Sequence, residues 1–138
     1  MNSTKKLTRG LRNNNPLNIR IGNNWKGEVE NPTDNVFEQF TEMKWGVRAG
    51  FLLLRRYINR YKVNTIDLII RRWAPPVENY TDNYIELVCS KTGFDRNYEL
   101  KYENIAEMTI LFQAMCFVEN GQDMDFNDIY EGYKLANE

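Results

Sequence analysis

The sequence predicts an α+β fold that is mainly α, with a small β-hairpin region at its N-terminal end. Three observations predict it. The first forty residues are dense in turn formers: Asn13, Asn14, Asn15, Pro16, Gly22, Asn23, Asn24, Gly27 and Pro32. Short stretches rich in apolar and aromatic residues, 17–21, 25–29 and 36–40, lie between those turns and read as strands. After Thr41 the apolar residues recur at helical spacing almost to the end. At 138 residues the chain fits a single domain, 1–138. A domain of this size buries roughly two-thirds of the surface its unfolded chain exposes. Residues 1–8, polar and basic, are expected to form a disordered tail.

Each helix has a start and a stop. Thr41 can cap the first, on which Val47, Phe51, Leu54, Ile58 and Tyr61 share a face. Asn64 can cap a shorter one carrying Ile66, Ile69, Ile70 and Trp73, stopped by Pro75 and Pro76. Thr81 can cap a third, with Tyr84, Ile85 and Val88 along it and Gly93 after its end. In the fourth, Asn104 with Glu107 three residues on resembles a capping box. From Ile105 to Val118 only Glu107, Thr109 and Gln113 are polar, so this helix belongs inside the domain. Asn120-Gly121 supplies a left-handed end. Asp125 can cap the last helix, through Ile129, Tyr133 and Leu135.

Composition removes whole classes of chemistry. The chain has no histidine, so Ser-His and Cys-His nucleophile pairs and histidine-based zinc sites are impossible. Acid/base work falls to carboxylates, helped by Tyr or Lys. Cys89 and Cys116 are too few for a zinc site and read as small core residues. No metal or cofactor is implied. A net charge of −1 argues against a general nucleic-acid or membrane-surface binder, though not against a local basic patch. The polar, basic start carries no signal-peptide pattern. The protein is therefore expected to be made in the cytoplasm, and it is expected to be a monomer.

One carboxylate stands in an unusual place. Ile105, Met108, Phe112 and Met115 form a stripe along the apolar helix, and Glu119 is its next position. Partial burial and the negative end of the helix dipole would both raise its pKa. A carboxyl protonated near neutrality is what protonation of a glycosidic leaving group requires. Periodicity alone favours a solvated side chain at a frayed helix end.

The run Arg9-Gly10-Leu11-Arg12-Asn13-Asn14-Asn15-Pro16-Leu17-Asn18-Ile19-Arg20 resembles the opening signature of a phage and prophage family. Its members are described as virion structural proteins and as lysozyme-like or transglycosylase-like proteins. Trp25-Lys26-Gly27, Val36 to Phe40, Trp45 to Ala49, Arg72 to Asn79, Tyr84 and Glu119-Asn120-Gly121 match in the same order. The order Asn-Pro-Leu-Asn-Ile-Arg, then Trp-Lys-Gly, an aromatic strand and a helix, is also similar to the middle of bacterial glucosaminidases with a lysozyme-like fold. There the helix bearing the catalytic Glu precedes the asparagine turn. Here the likeness implies that it follows, as in a circular permutation, with Glu119 as the acid. Leu17 stands where both families are expected to have a small residue, often glycine, and a leucine held at positive φ would be strained.

The resemblance implies a lysozyme-like helical domain that cleaves peptidoglycan glycan strands, as muramidase or lytic transglycosylase. It equally admits a non-catalytic virion or peptidoglycan-binding protein on the same scaffold. For substrate contact the candidates are Asn13, Asn15, Asn18, Arg20, Trp25, Gln39, Trp73, Glu78 and Tyr84, with Trp45 and Tyr80 beside them. Core packing is the competing role for the tryptophans, and turn hydrogen bonding for the asparagines. Arg20 can orient Glu119 or a peptide stem. A hydrolase needs a second carboxylate, at ~5–5.5 Å when retaining or ~6.5–9.5 Å when inverting. Glu28, Glu30, Asp34 and Glu78 are candidates and none stands out, which favours a transglycosylase using the substrate's own hydroxyl. The expected partners are glycan strands and other virion proteins, not nucleic acid or membrane. The expected destination is a virion or the cell wall.

Overall fold

The computed structural model describes residues 7–138. Six α-helices and one π-helical turn account for its regular structure: α1 (Arg9–Arg12), α2 (Met43–Arg55), a π turn (Arg56–Arg60), α3 (Ile66–Trp73), α4 (Glu78–Thr92), α5 (Ile105–Asn120) and α6 (Phe126–Ala136). No helix among the described residues is long and apolar enough to cross a membrane.

The core forms where α2, α5 and α6 meet. Phe51 of α2 lies 4.6 Å from the Phe112 ring of α5 and 5.0 Å, edge-on, from the Tyr133 ring of α6. On α5, Met108, Leu111, Phe112, Ala114, Met115 and Cys116 are all buried, as its all-round apolar pattern requires. Its buried polar side chains Gln113 and Glu107 are satisfied by the neighbouring loops. Gln113 donates to the Met124 carbonyl and accepts from the Met124 amide, at 2.7 and 2.9 Å. Glu107 accepts from the Lys101 amide and the Tyr98 hydroxyl.

The caps are partly those the sequence suggests. Asn104 accepts from the Glu107 amide, Asp125 from that of Asn127, and Gly93 and Gly121 end their helices at positive φ. Elsewhere the starts shift. Helix α2 begins after Glu42, not Thr41. Helix α3 is capped by Thr65, not Asn64, through the Leu68 amide. Helix α4 starts three residues before Thr81, whose hydroxyl donates to the Pro75 carbonyl instead of capping. Prolines 75 and 76 force a sharp turn, and Thr81 ties it down.

The expected N-terminal β-hairpin is not formed. Residues 17–40 contribute two isolated antiparallel bridges, Arg20 with Phe37 and Glu28 with Phe40. A few backbone bonds, such as Glu38 to the Ile19 carbonyl and Ile21 to that of Val36, are supplemented by side chains. The fully buried Asn15 amide donates to the carbonyls of Ile19 and Glu38, both at 3.0 Å, and accepts from the Ile19 amide at 2.9 Å. Asp34 accepts from Arg9 at both oxygens, from Asn13, and from the amides of Val36 and Phe37. Arg9 above all holds that carboxyl far below the usual range. Gln39 accepts from the amides of Thr33 and Asp34 and donates to Asn13. With a few backbone bonds and many from polar side chains, this segment is an ordered loop and not a sheet.

Leu17 carries no backbone strain. The positive φ values fall on its neighbours, Asn14 (54°) and Asn18 (52°), a conformation asparagine tolerates. Leu17 itself is buried in the core. The start of α2 presses on this turn: a Cβ on Gly46 would stand 1.7 Å from the Asn14 carbonyl oxygen. The expected tail, 1–8, falls mostly on residues 1–6, outside the described residues. Thr8 is engaged, donating to Asn120 at 2.6 Å.

Candidate functional site

Glu119 is the penultimate residue of α5, and its position depends on Asn120 beside it. The buried Asn120 side chain accepts from the Thr8 hydroxyl and donates to the Pro16 carbonyl at 2.8 Å and the Cys116 carbonyl at 3.0 Å. It thereby joins the asparagine turn to the end of α5. Gly10 lies against this joint, since a Cβ there would come within 2.6 Å of the Asn120 and 2.7 Å of the Asn18 side-chain oxygen. Asn120→Ala is expected to destabilise the fold by about 2 kcal/mol, because a buried carbonyl loses its partner and a hydroxyl its acceptor. Urea unfolding measures this; an unchanged midpoint at unchanged slope would show that the joint carries no load.

So joined, the turn brings Asn18 to Glu119. The Asn18 amide donates to Glu119 Oε1 at 2.9 Å, and the Tyr84 hydroxyl of α4 donates to Oε2 at 3.0 Å. Both donors favour the ionised form, but burial outweighs them and raises the Glu119 pKa above its ordinary value. Burial, then the charge of Glu119, also raises Tyr84 well above the usual phenol range, so it stays a hydroxyl donor.

The carboxyl opens into a groove of about 440 Å³. One wall is Leu17, Asn18, Arg20 and Phe37 of the loop; the other is Trp73 to Pro76 with Tyr80. Phe37 lies under two guanidinium groups, Arg9 at 4.6 Å and Arg20 at 5.3 Å. Tyr80 is 43% exposed, and its ring meets that of Tyr84 edge-on at 6.1 Å. The groove thus offers aromatic surfaces, one amide, one guanidinium and a half-buried carboxyl.

Of the residues singled out in the sequence, Asn18, Arg20, Trp73 and Tyr80 line the groove with Glu119. Arg20 makes no ion pair with Glu119 and stands over Phe37. Tyr84 is buried and acts on Glu119 from behind, not as a surface for a sugar. Asn13, Asn15 and Gln39 are consumed in building the loop. Trp25 packs on a small second core of Ile19, Phe40 and Ala49 and faces another hollow. Trp45 packs on that same small core. Glu78 opens α4, exposed, outside the groove. None of Glu28, Glu30, Asp34 and Glu78 lines the groove, so Glu119 is its one acidic residue. Among the described residues no three of His, Cys, Asp and Glu gather as a metal site. Phe37 and the Ala74-Pro75-Pro76 turn were not readable as groove residues. The only signal for them was their place in the family-like motifs.

Comparison with known proteins adds one relative. No family model matches the chain. The sequence is 43% identical over 131 residues to "Protein P5" of Pseudoalteromonas phage PM2, covering 91% of this chain and 80% of that protein.

Proposed function

Since this chain belongs to the family of phage PM2 Protein P5, we propose that it is a virion-associated phage protein whose groove takes a peptidoglycan glycan strand and cleaves it with Glu119 as general acid. One observation carries the chemistry: a half-buried carboxyl, its pKa raised, opens on an aromatic-walled groove and is held at both oxygens by neutral donors. In its protonated form Glu119 gives its proton to the bridging oxygen, and the bond from that oxygen to the anomeric carbon breaks. No second carboxylate is present to form a glycosyl ester or to activate water. A hydroxyl of the same sugar therefore closes on the anomeric carbon, and the Glu119 carboxylate takes the proton released.

A second reading belongs beside it, a virion structural or peptidoglycan-binding protein on the same scaffold. The relative is named as a phage protein and nothing more, a description this reading meets without any chemistry. The full pairing of Glu119 and its solitude in the groove also suit a binding role. Purified cell-wall sacculi separate the two. The expected result is release of soluble fragments ending in anhydro sugars, read by mass spectrometry. Co-sedimentation without release would leave only the binding role, and neither release nor co-sedimentation would leave only a structural role in the virion.

A further inference from the structure

Charge along this chain is segregated. Residues 43–73 hold eight lysines and arginines and one acid, Asp67, although the net charge of the whole is −1. Arg71 and Arg96 occupy Asp67. Arg55, Arg56 and Arg60 have no acidic partner among the described residues. These three line a hollow of about 380 Å³ with Trp25, Leu52 and Asn59. It lies where α2 widens into the π turn, an irregularity often found at functional sites. Arg55 is tethered through one nitrogen to the Ala136 carbonyl at 3.1 Å, leaving its other N–H groups free. The indole N–H of Trp25 is buried without an acceptor. Three guanidinium groups thus line a space that contains no carboxylate, with the Trp25 ring beside them.

The hollow is linked to the Glu119 groove through neighbouring chain positions. Its residues Leu52 and Arg56 are followed in the chain by Leu53 and Tyr57. Those two line a dent of about 200 Å³ that shares Asn18, Arg20 and Trp73 with the groove. We propose that the Arg55–Arg56–Arg60 hollow binds the free carboxylates of the peptide stems that branch from the glycan strand. The substrate class is then peptide-bearing strands and not bare polysaccharide. This inference rests on the glycan-strand reading of the groove. Three guanidinium groups match a short peptide with two or three carboxylates through charge-assisted hydrogen bonds. Duplex DNA fits less well, because a chain with net charge −1 offers no long-range attraction to a dense line of phosphates.

The test is a set of NMR titrations with four probes: an acidic stem tripeptide, the same peptide with its carboxyls amidated, peptide-free glycan strands, and a short DNA duplex. The tripeptide is expected to shift the Trp25 indole signal. Its affinity should fall about tenfold or more in Arg56→Gln/Arg60→Gln and on amidation. Both arginines are exposed, and an unchanged melting point confirms the variant's fold. Glycan strands should bind wild type and variant alike. An unmoved indole signal, equal tripeptide affinity in the double variant, or binding of DNA but not peptide overturns the proposal. Peptide binding here without any binding of bare strands would keep the hollow and sink the groove reading; the reverse would do the opposite.

Discussion

Glu119→Gln is expected to slow glycan-strand cleavage by roughly 10²–10⁴-fold, the usual contribution of a positioned general acid, with little change in stability. Glutamine keeps the shape and an acceptor for Asn18. Its amide nitrogen meets the Tyr84 hydroxyl, which can turn to accept instead of donate. The lost group is then the proton alone. Because the active form is protonated, the rate of the unaltered protein should fall on the alkaline side as Glu119 ionises, at a pH above the ordinary glutamate value. Tyr84→Phe supplies the positioning test. It removes a donor that stabilises the carboxylate, so the alkaline limb should move to higher pH. A merely structural tyrosine would change the height of the profile and not its midpoint. A Glu119→Gln protein that clears walls at the original rate would remove Glu119 from the chemistry.

What the sequence made legible, and what it hid, follow from the range of the forces involved. Helix α5 could be read because every signal lies within one turn: the Asn104 cap, the apolar positions and the left-handed Gly121. Glu119 could be placed at the end of a buried stripe for the same reason. The N-terminal loop could not. Asn13, Asn15, Asp34 and Gln39 make bonds across gaps of more than twenty residues, so stretches that look like strands pair by only a few backbone bonds and are otherwise tied by side chains. Leu17 shows the finer form of the error. The left-handed positions are one residue after it and three before it, on asparagines able to adopt them. Tyr84 was expected on the sugar side because the apolar face of a helix does not say which neighbour its hydroxyl meets. That neighbour lies 35 residues on, and only packing of α4 on α5 brings the two together.

Glu38→Gln should have the largest effect on stability, and the effect should depend on pH. Glu38 lies in the N-terminal loop, 4% exposed, with its Oε2 buried and unpartnered. Burial, and then the Glu28 carboxylate beside it, push its pKa up to about 7. In the unfolded chain the group ionises near its ordinary value of 4.5. Between those two values the folded state holds a proton that the unfolded state has released, so stability falls as pH rises through that window. The loss is complete above about 7 and is on the order of 3 kcal/mol at most, at ~1.36 kcal/mol per pH unit. Asp34 and Asp67 act in the other direction. Their pKa values are lowered, chiefly by Arg9 and Arg71, so their contribution is present above the ordinary carboxylate range and fades in stronger acid. Maximum stability should therefore lie between the two windows, on the mildly acidic side of neutrality. Glutamine mimics the protonated side chain at every pH. In urea melts the variant should match the original protein near pH 4 and exceed it by the full margin at pH 8. Parallel stability curves across that range would mean that Glu38 is ionised in the folded protein throughout and that its burial is compensated by water.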